Sequence, residues 1–138
     1  MPIGEDERRL SLDERIRLRL GQCETLDQIA LVLYRLLGGG FTVWEEDGRL
    51  LETRVQGAML NGLRIQIHTR EHGPPHFHVT THDIDASFAI RDCSHLTGAI
   101  SRRDQRLVEY WHRNARPTLI RVWNATRPSD CPVGVIDV

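Results

Sequence analysis

Apolar residues recur along this chain at two different periods. Between positions 25 and 37, Leu26, Ile29, Ala30, Leu33, Leu36 and Leu37 follow helical spacing, which marks one face of a 3.6-residue repeat. Thr25 and Gln28 stand where a capping box would start that helix. Gly38-Gly39-Gly40 would end it, because glycine accepts C-terminal cap conformations. Further upstream, Leu12, Ile16 and Leu20 lie four apart behind a second candidate box, Ser11 and Glu14. The same stretch alternates Ile16, Leu18 and Leu20 with Arg15, Arg17 and Arg19, which is strand period. The two periods compete there, and the capping pair favours helix. Two short helices joined by a turn suggest a helix-turn-helix DNA reader, but no basic recognition helix follows the turn. A packing or dimer-forming role is the better expectation for residues 1–40.

From Phe41 the period changes to two. Phe41–Glu46 and Arg49–Arg54 flank Asp47-Gly48, a preferred two-residue hairpin turn, and Asn61-Gly62 is a second such signal. The region from Phe41 to His68 is therefore predicted to be an antiparallel meander. Leu63, Ile65 and Ile67 alternate with Arg64, Gln66 and His68, and Phe77 and Val79 alternate with His76, His78 and Thr80. Ala86, Phe88 and Ile90 alternate with Ser87, Ala89 and Arg91. These patterns predict three strands of one antiparallel sheet, Leu63–His68, His76–Thr80 and Ala86–Arg91. Between the first two, Gly73-Pro74-Pro75 forces a rigid turn, because proline fixes φ and lacks a backbone donor.

Ser101 and Asp104 cap a final helical region with Leu107, Val108, Trp111 and His112 on one stripe. Pro117 breaks the pattern, so a second helix carrying Leu119, Ile120 and Trp123 is predicted to begin there, with the proline in its first turn. The expected fold is α+β: an antiparallel β-meander packed on a C-terminal helix pair (residues 41–138), preceded by an N-terminal helical extension (residues 1–40).

A chain of 138 residues suits one domain plus a short extension. Its net charge of −1 provides no global attraction for nucleic acid or acidic membranes. All 18 basic residues are arginine, which codon composition explains more simply than selection for phosphate forks. Cys23, Cys93 and Cys131 are odd in number and widely spaced, which fits a reducing cytoplasm rather than a disulfide framework. No apolar run reaches the roughly 20 residues of a membrane span. The N-terminus MPIGEDERRL lacks the apolar centre of a secretory leader.

The chemistry concentrates in IQIHTREHGPPHFH, residues 65–78, which holds four of the seven histidines. Residues at i and i+2 of a strand share a face, so His76 and His78 stand side by side, with His68 across the loop. Three readings compete. In the first, His68, His76 and His78 ligate a divalent metal such as zinc or iron, with Glu71, His72 or Asp92 completing the set. In the second, two imidazoles act as general base and acid in RNA cleavage, and Arg64, Arg70 or Arg91 stabilises the phosphate. In the third, the histidines bind backbone groups of the Pro-Pro loop or present a surface to a partner. That third reading explains the Pro-Pro-His arrangement with the least chemistry. His82, His95 and His112 have no evident partners and are expected at the surface. Trp111 and Trp123 sit on apolar stripes and are expected in the core.

From about Leu63 to Trp123 the chain resembles the domain-of-unknown-function 4160 family of small bacterial proteins. The matching pieces are Glu71-His72, Pro74-Pro75-His76-Phe77-His78-Val79, Ala86–Ile90, Leu96-Thr97-Gly98, Glu109-Tyr110-Trp111 and Leu119–Trp123. Members often occur in operons of toxin–antitoxin character. The resemblance thus implies a toxin–antitoxin-type component that contacts a cognate antitoxin, another partner protein or RNA. A homodimer through the N-terminal helices is a further expectation.

Overall fold

The computed structural model describes residues 10–44, 46–52, 62–68, 73–127 and 134–136. Helix α1 spans Leu12–Gln22 and α2 spans Leu26–Leu37. At α1 the cap decides the contest of periods: Ser11 Oγ accepts the Glu14 backbone N–H at 3.2 Å. At α2 the box is complete, with Thr25 Oγ1 accepting from Gln28 N and Gln28 Oε1 accepting from Thr25 N, each at 3.2 Å.

Among the described residues six strands follow: β1 (Phe41–Val43), β2 (Leu50–Glu52), β3 (Arg64–Gln66), β4 (His76–Thr80), β5 (Asp85–Ala89) and β6 (His95–Thr97). All pairings are antiparallel, but the strands form two sheets rather than one meander from Phe41 onward. β1 and β2 pair alone around the Asp47-Gly48 turn, where Gly48 has φ +73°. β3, β4, β5 and β6 form the second sheet in chain order. The three strands predicted between 63 and 91 are all present there. β6 was not predicted, because its three residues are all exposed and show no alternation. Gly98 explains how the chain leaves β6. It has φ +84°, and a Cβ there would stand 1.9 Å from the Asp85 carbonyl oxygen, so only glycine fits against β5.

The expected C-terminal helix pair is a single 24-residue helix, α3 (Arg102–Ala125), with Pro117 inside it. Leu107, Trp111, Ala115, Leu119 and Trp123 recur every fourth residue and are each 0 % exposed. Pro117 falls on the exposed side. The interior proline costs about 3 kcal/mol relative to alanine. Burying Leu119, Ile120 and Trp123 on the continued stripe recovers roughly 1.5–3 kcal/mol per large side chain, enough to carry the helix through.

One hydrophobic cluster joins these parts. Phe77 and Phe88 stack at 5.7 Å on the sheet face toward α3, where Phe77 meets Trp111 at 5.7 Å. The first two helices belong to the same core through Leu20, Ile29, Leu33 and Leu36. Buried polar bonds lock them to α3. Trp111 Nε1 donates to Ile29 O at 2.8 Å, and Thr118 Oγ1 donates to Cys23 O at 3.0 Å. Asp13 of α1 accepts both the Tyr110 hydroxyl and, at 3.1 Å, the Leu50 N–H of β2. Among the described residues no helix is long and apolar enough to cross a membrane.

Candidate functional site

β4 divides its side chains between two faces. Phe77 and Val79 are fully buried toward α3. His76, His78 and Thr80 project to the opposite face and pair in register with Ala89, Ser87 and Asp85 of β5. On the other side of β4, Gln66 pairs with His78 and Arg64 with Thr80. Ser87 and Thr97 extend this polar row across β5 to β6 through a 2.6 Å hydroxyl–hydroxyl bond.

The three imidazoles are neighbours. The His68 and His78 rings meet edge-to-face with centroids 4.6 Å apart, and those of His76 and His78 are 5.0 Å apart. His68 is exposed, His78 half-buried and His76 only 9 % exposed. His76 Nδ1 lies 2.7 Å from the Pro74 carbonyl oxygen. A carbonyl only accepts, so Nδ1 carries the proton and donates, which leaves Nε2 as the acceptor of the neutral ring. One histidine therefore props the Pro-Pro turn, while the next presents its ring beside His68.

Arg64 is exposed on the histidine face, one strand pair away from His78. Arg91 is not on that face of a strand: β5 ends at Ala89, and Arg91 lies in the following turn, its carbonyl accepting from Arg116 Nε at 3.0 Å. Asp92 is in the same turn and accepts the Ser94 N–H at 3.0 Å, the main cause of its lowered pKa. Glu71, His72 and Arg70 lie outside the described residues. Among the described residues no three His, Cys, Asp or Glu side chains are grouped to hold a metal ion.

Two features escape the sequence pattern. Arg127, just past the end of α3, stacks its guanidinium 3.4 Å from the centre of the Trp123 ring and donates to the His68 carbonyl at 2.7 Å. It ties the helix terminus to the strand end that carries His68. Its only sequence signal is its position, since cations just beyond a helix often bond the last carbonyls; here Arg127 Nε bonds Trp123 O at 3.1 Å. The second is His112, expected at the surface but buried. Its ring stacks on Phe77 and its Nε2 bonds the Ile90 carbonyl. Burial pushes its pKa below the usual imidazole value.

A separate polar hollow of about 390 Å³ is lined by Asp92, Cys93, His95, Glu109, His112 and Arg113. Burial, reinforced by Glu109 and Asp92, pushes the Cys93 thiol up to about 12. It stays protonated near neutral pH and is no nucleophile.

Residues 62–124 match the family model described as Domain of unknown function (DUF4160). Over that stretch, somewhat under half of its length, the chain is similar to the DUF4160 family. No curated protein and no solved structure matches the chain. The matched stretch takes in β3 to β6 and α3 up to Asn124, and thus the described part of the histidine face. It ends just short of Arg127. The helices α1 and α2 precede it, yet the Trp111–Ile29 and Thr118–Cys23 bonds pack them against its helix.

Proposed function

We propose that this chain is a toxin–antitoxin-type component that acts by contact through its histidine face, with RNA the partner this face suits best. The toxin–antitoxin setting is supported by the family resemblance alone. The observation that carries the contact reading is the row of adjoining imidazoles, His68–His78–His76, opening beside exposed Arg64 and Gln66. Imidazole rings stack on bases and donate to phosphate, and arginine forks match phosphate oxygens. The test is fluorescence anisotropy of a labelled single-stranded RNA with the wild type and with His68→Ala/His78→Ala. The wild type should bind with an affinity that falls with salt, as phosphate contacts require. The double variant should bind about tenfold more weakly or worse. Equal binding by both proteins would remove the face from the interaction.

A second reading, histidine acid–base catalysis of RNA cleavage, is favoured by one observation. The Pro74 carbonyl accepts from His76 Nδ1 and so holds that ring in one orientation, as an acid–base imidazole requires. Incubating labelled RNA with the protein in excess chelator separates this from metal-dependent cleavage. Cleavage that survives the chelator and disappears in His78→Ala supports imidazole catalysis. Cleavage lost to the chelator and restored by zinc or iron would support a metal held by His68, His76 and His78.

A further inference from the structure

Helices α1 and α2 both line a groove of about 610 Å³. Arg15, Ile16 and Arg19 recur at helical spacing on the α1 wall, and Leu31, Val32 and Arg35 do so on the α2 wall. Phe41 of β1 and Glu52 of β2 also line it. Its apolar residues Ile16 and Val32 are more buried than its arginines, and among the described lining residues three arginines stand against one glutamate. Leu31 is 53 % exposed, a high value for leucine on a helix that otherwise buries its apolar residues. Among the described residues no carboxylate pairs with Arg15, Arg19 or Arg35, although Asp47 and Asp104 each pair with an arginine elsewhere. Unlike the histidine face, this groove lies outside residues 62–124.

We propose that the groove between α1 and α2 docks one amphipathic, acidic helix from a partner protein. The lining fits a helix: two helices with apolar residues between them leave the place that a third helix fills in a bundle, by ridges entering grooves. The α1 wall is 11 residues long, or about 16 Å at roughly 1.5 Å per residue, which accommodates about three turns of partner. Charge complementarity selects the sign. Leucine-type side chains on one face of the partner would cover Ile16, Val32 and Leu31. Glutamates or aspartates flanking that face would meet Arg15 and Arg19 on one side and Arg35 on the other. A second copy of this chain is a poorer occupant. A twofold axis brings the same patch against itself and would set two basic patches of like charge together.

The test uses the full chain and a displayed library of helical peptides of about 14 residues. Leucines are fixed at i, i+3, i+4 and i+7, and the flanking positions are randomised between glutamate, glutamine and lysine. Selection should enrich glutamate at the flanks. The best peptide, labelled for anisotropy, should bind roughly tenfold or more weakly to Leu31→Asp and to Arg15→Glu/Arg19→Glu, and equally to wild type and His78→Ala. Leu31, Arg15 and Arg19 are exposed, so these variants should keep the wild-type melting curve by circular dichroism. No enrichment, enrichment of lysine or glutamine, or binding indifferent to the groove variants would overturn the proposal. So would sedimentation showing a dimer of the chain that Leu31→Asp dissociates, since the groove would then belong to a second copy.

Discussion

Trp111 donates its indole N–H to the Ile29 carbonyl oxygen at 2.8 Å, across 82 residues of sequence. The bond crosses from α3, inside the stretch that matches the family model, to α2, which precedes that stretch. The indole is 0 % exposed, so it contributes both packing and the satisfaction of a buried donor. Trp111→Phe keeps most of the volume and should lose about 1–3 kcal/mol, the usual effect of deleting one partner of a buried hydrogen bond. Trp111→Ala should lose about 3–5 kcal/mol, as large core aromatics do. Urea unfolding measures both; losses below about 1 kcal/mol for the alanine variant would mean the helices are not held through this residue.

Gly98 and Gly62 offer a controlled comparison. Both have positive φ, +84° and +70°. Only Gly98 would drive a Cβ into backbone, 1.9 Å from Asp85 O, whereas nothing lies within 4 Å of a Cβ at Gly62. Gly62→Ala should cost about 1 kcal/mol for its conformation alone. Gly98→Ala should cost at least about 2 kcal/mol more, because β5 and β6 must separate. Similar melting temperatures for the two variants would contradict the close approach.

His112 should make stability depend on pH. Burial disfavours its charged form and holds its pKa below the ordinary 6.5, against a smaller opposing effect of the Ile90 bond. The unfolded chain then takes up the proton more readily than the folded one. Stability contributed by neutral His112 should be full above 6.5, fall as the pH drops through that value, and level off below the folded pKa. Urea midpoints between about pH 5 and 7.5 should show this slope in the wild type and a shallower one in His112→Gln. Parallel profiles for the two proteins would assign the pH dependence to other groups.

His76 and His78 should separate by role. His76 holds the Pro74 carbonyl and is nearly buried, so His76→Ala should destabilise by about 1–3 kcal/mol. His78 is half-buried between the other two rings. His78→Ala should change stability by less than about 1 kcal/mol yet weaken RNA binding. Thermal melts and anisotropy on the same two proteins check both halves. A large stability loss in His78→Ala with intact binding would make this histidine structural as well.

What the sequence determined by itself is what depends on near neighbours. Thr25 and Gln28 cap α2 because both partners lie within one turn. His76, Phe77, His78 and Val79 take opposite faces because a strand alternates whatever it packs on. The α+β class, the three-strand core, the buried tryptophans and the family resemblance all rest on such local patterns. Tertiary structure alone decided what depends on distant residues. Pro117 signals a helix end locally, but the buried stripe through Leu119 and Trp123 outweighs it, and the predicted pair becomes one helix. The polar type of His112 suggests surface, but Phe77 and the Ile90 carbonyl supply the partners that let it be buried. Arg127 follows the last periodic residue, and only folding brings it to His68. The first two helices look detachable in sequence, yet their backbone carbonyls at Cys23 and Ile29 satisfy Thr118 and Trp111. Local propensities are worth tenths of a kcal/mol to about 1 kcal/mol per residue, whereas burial of a large side chain is worth several times that, so where the two disagreed the core prevailed.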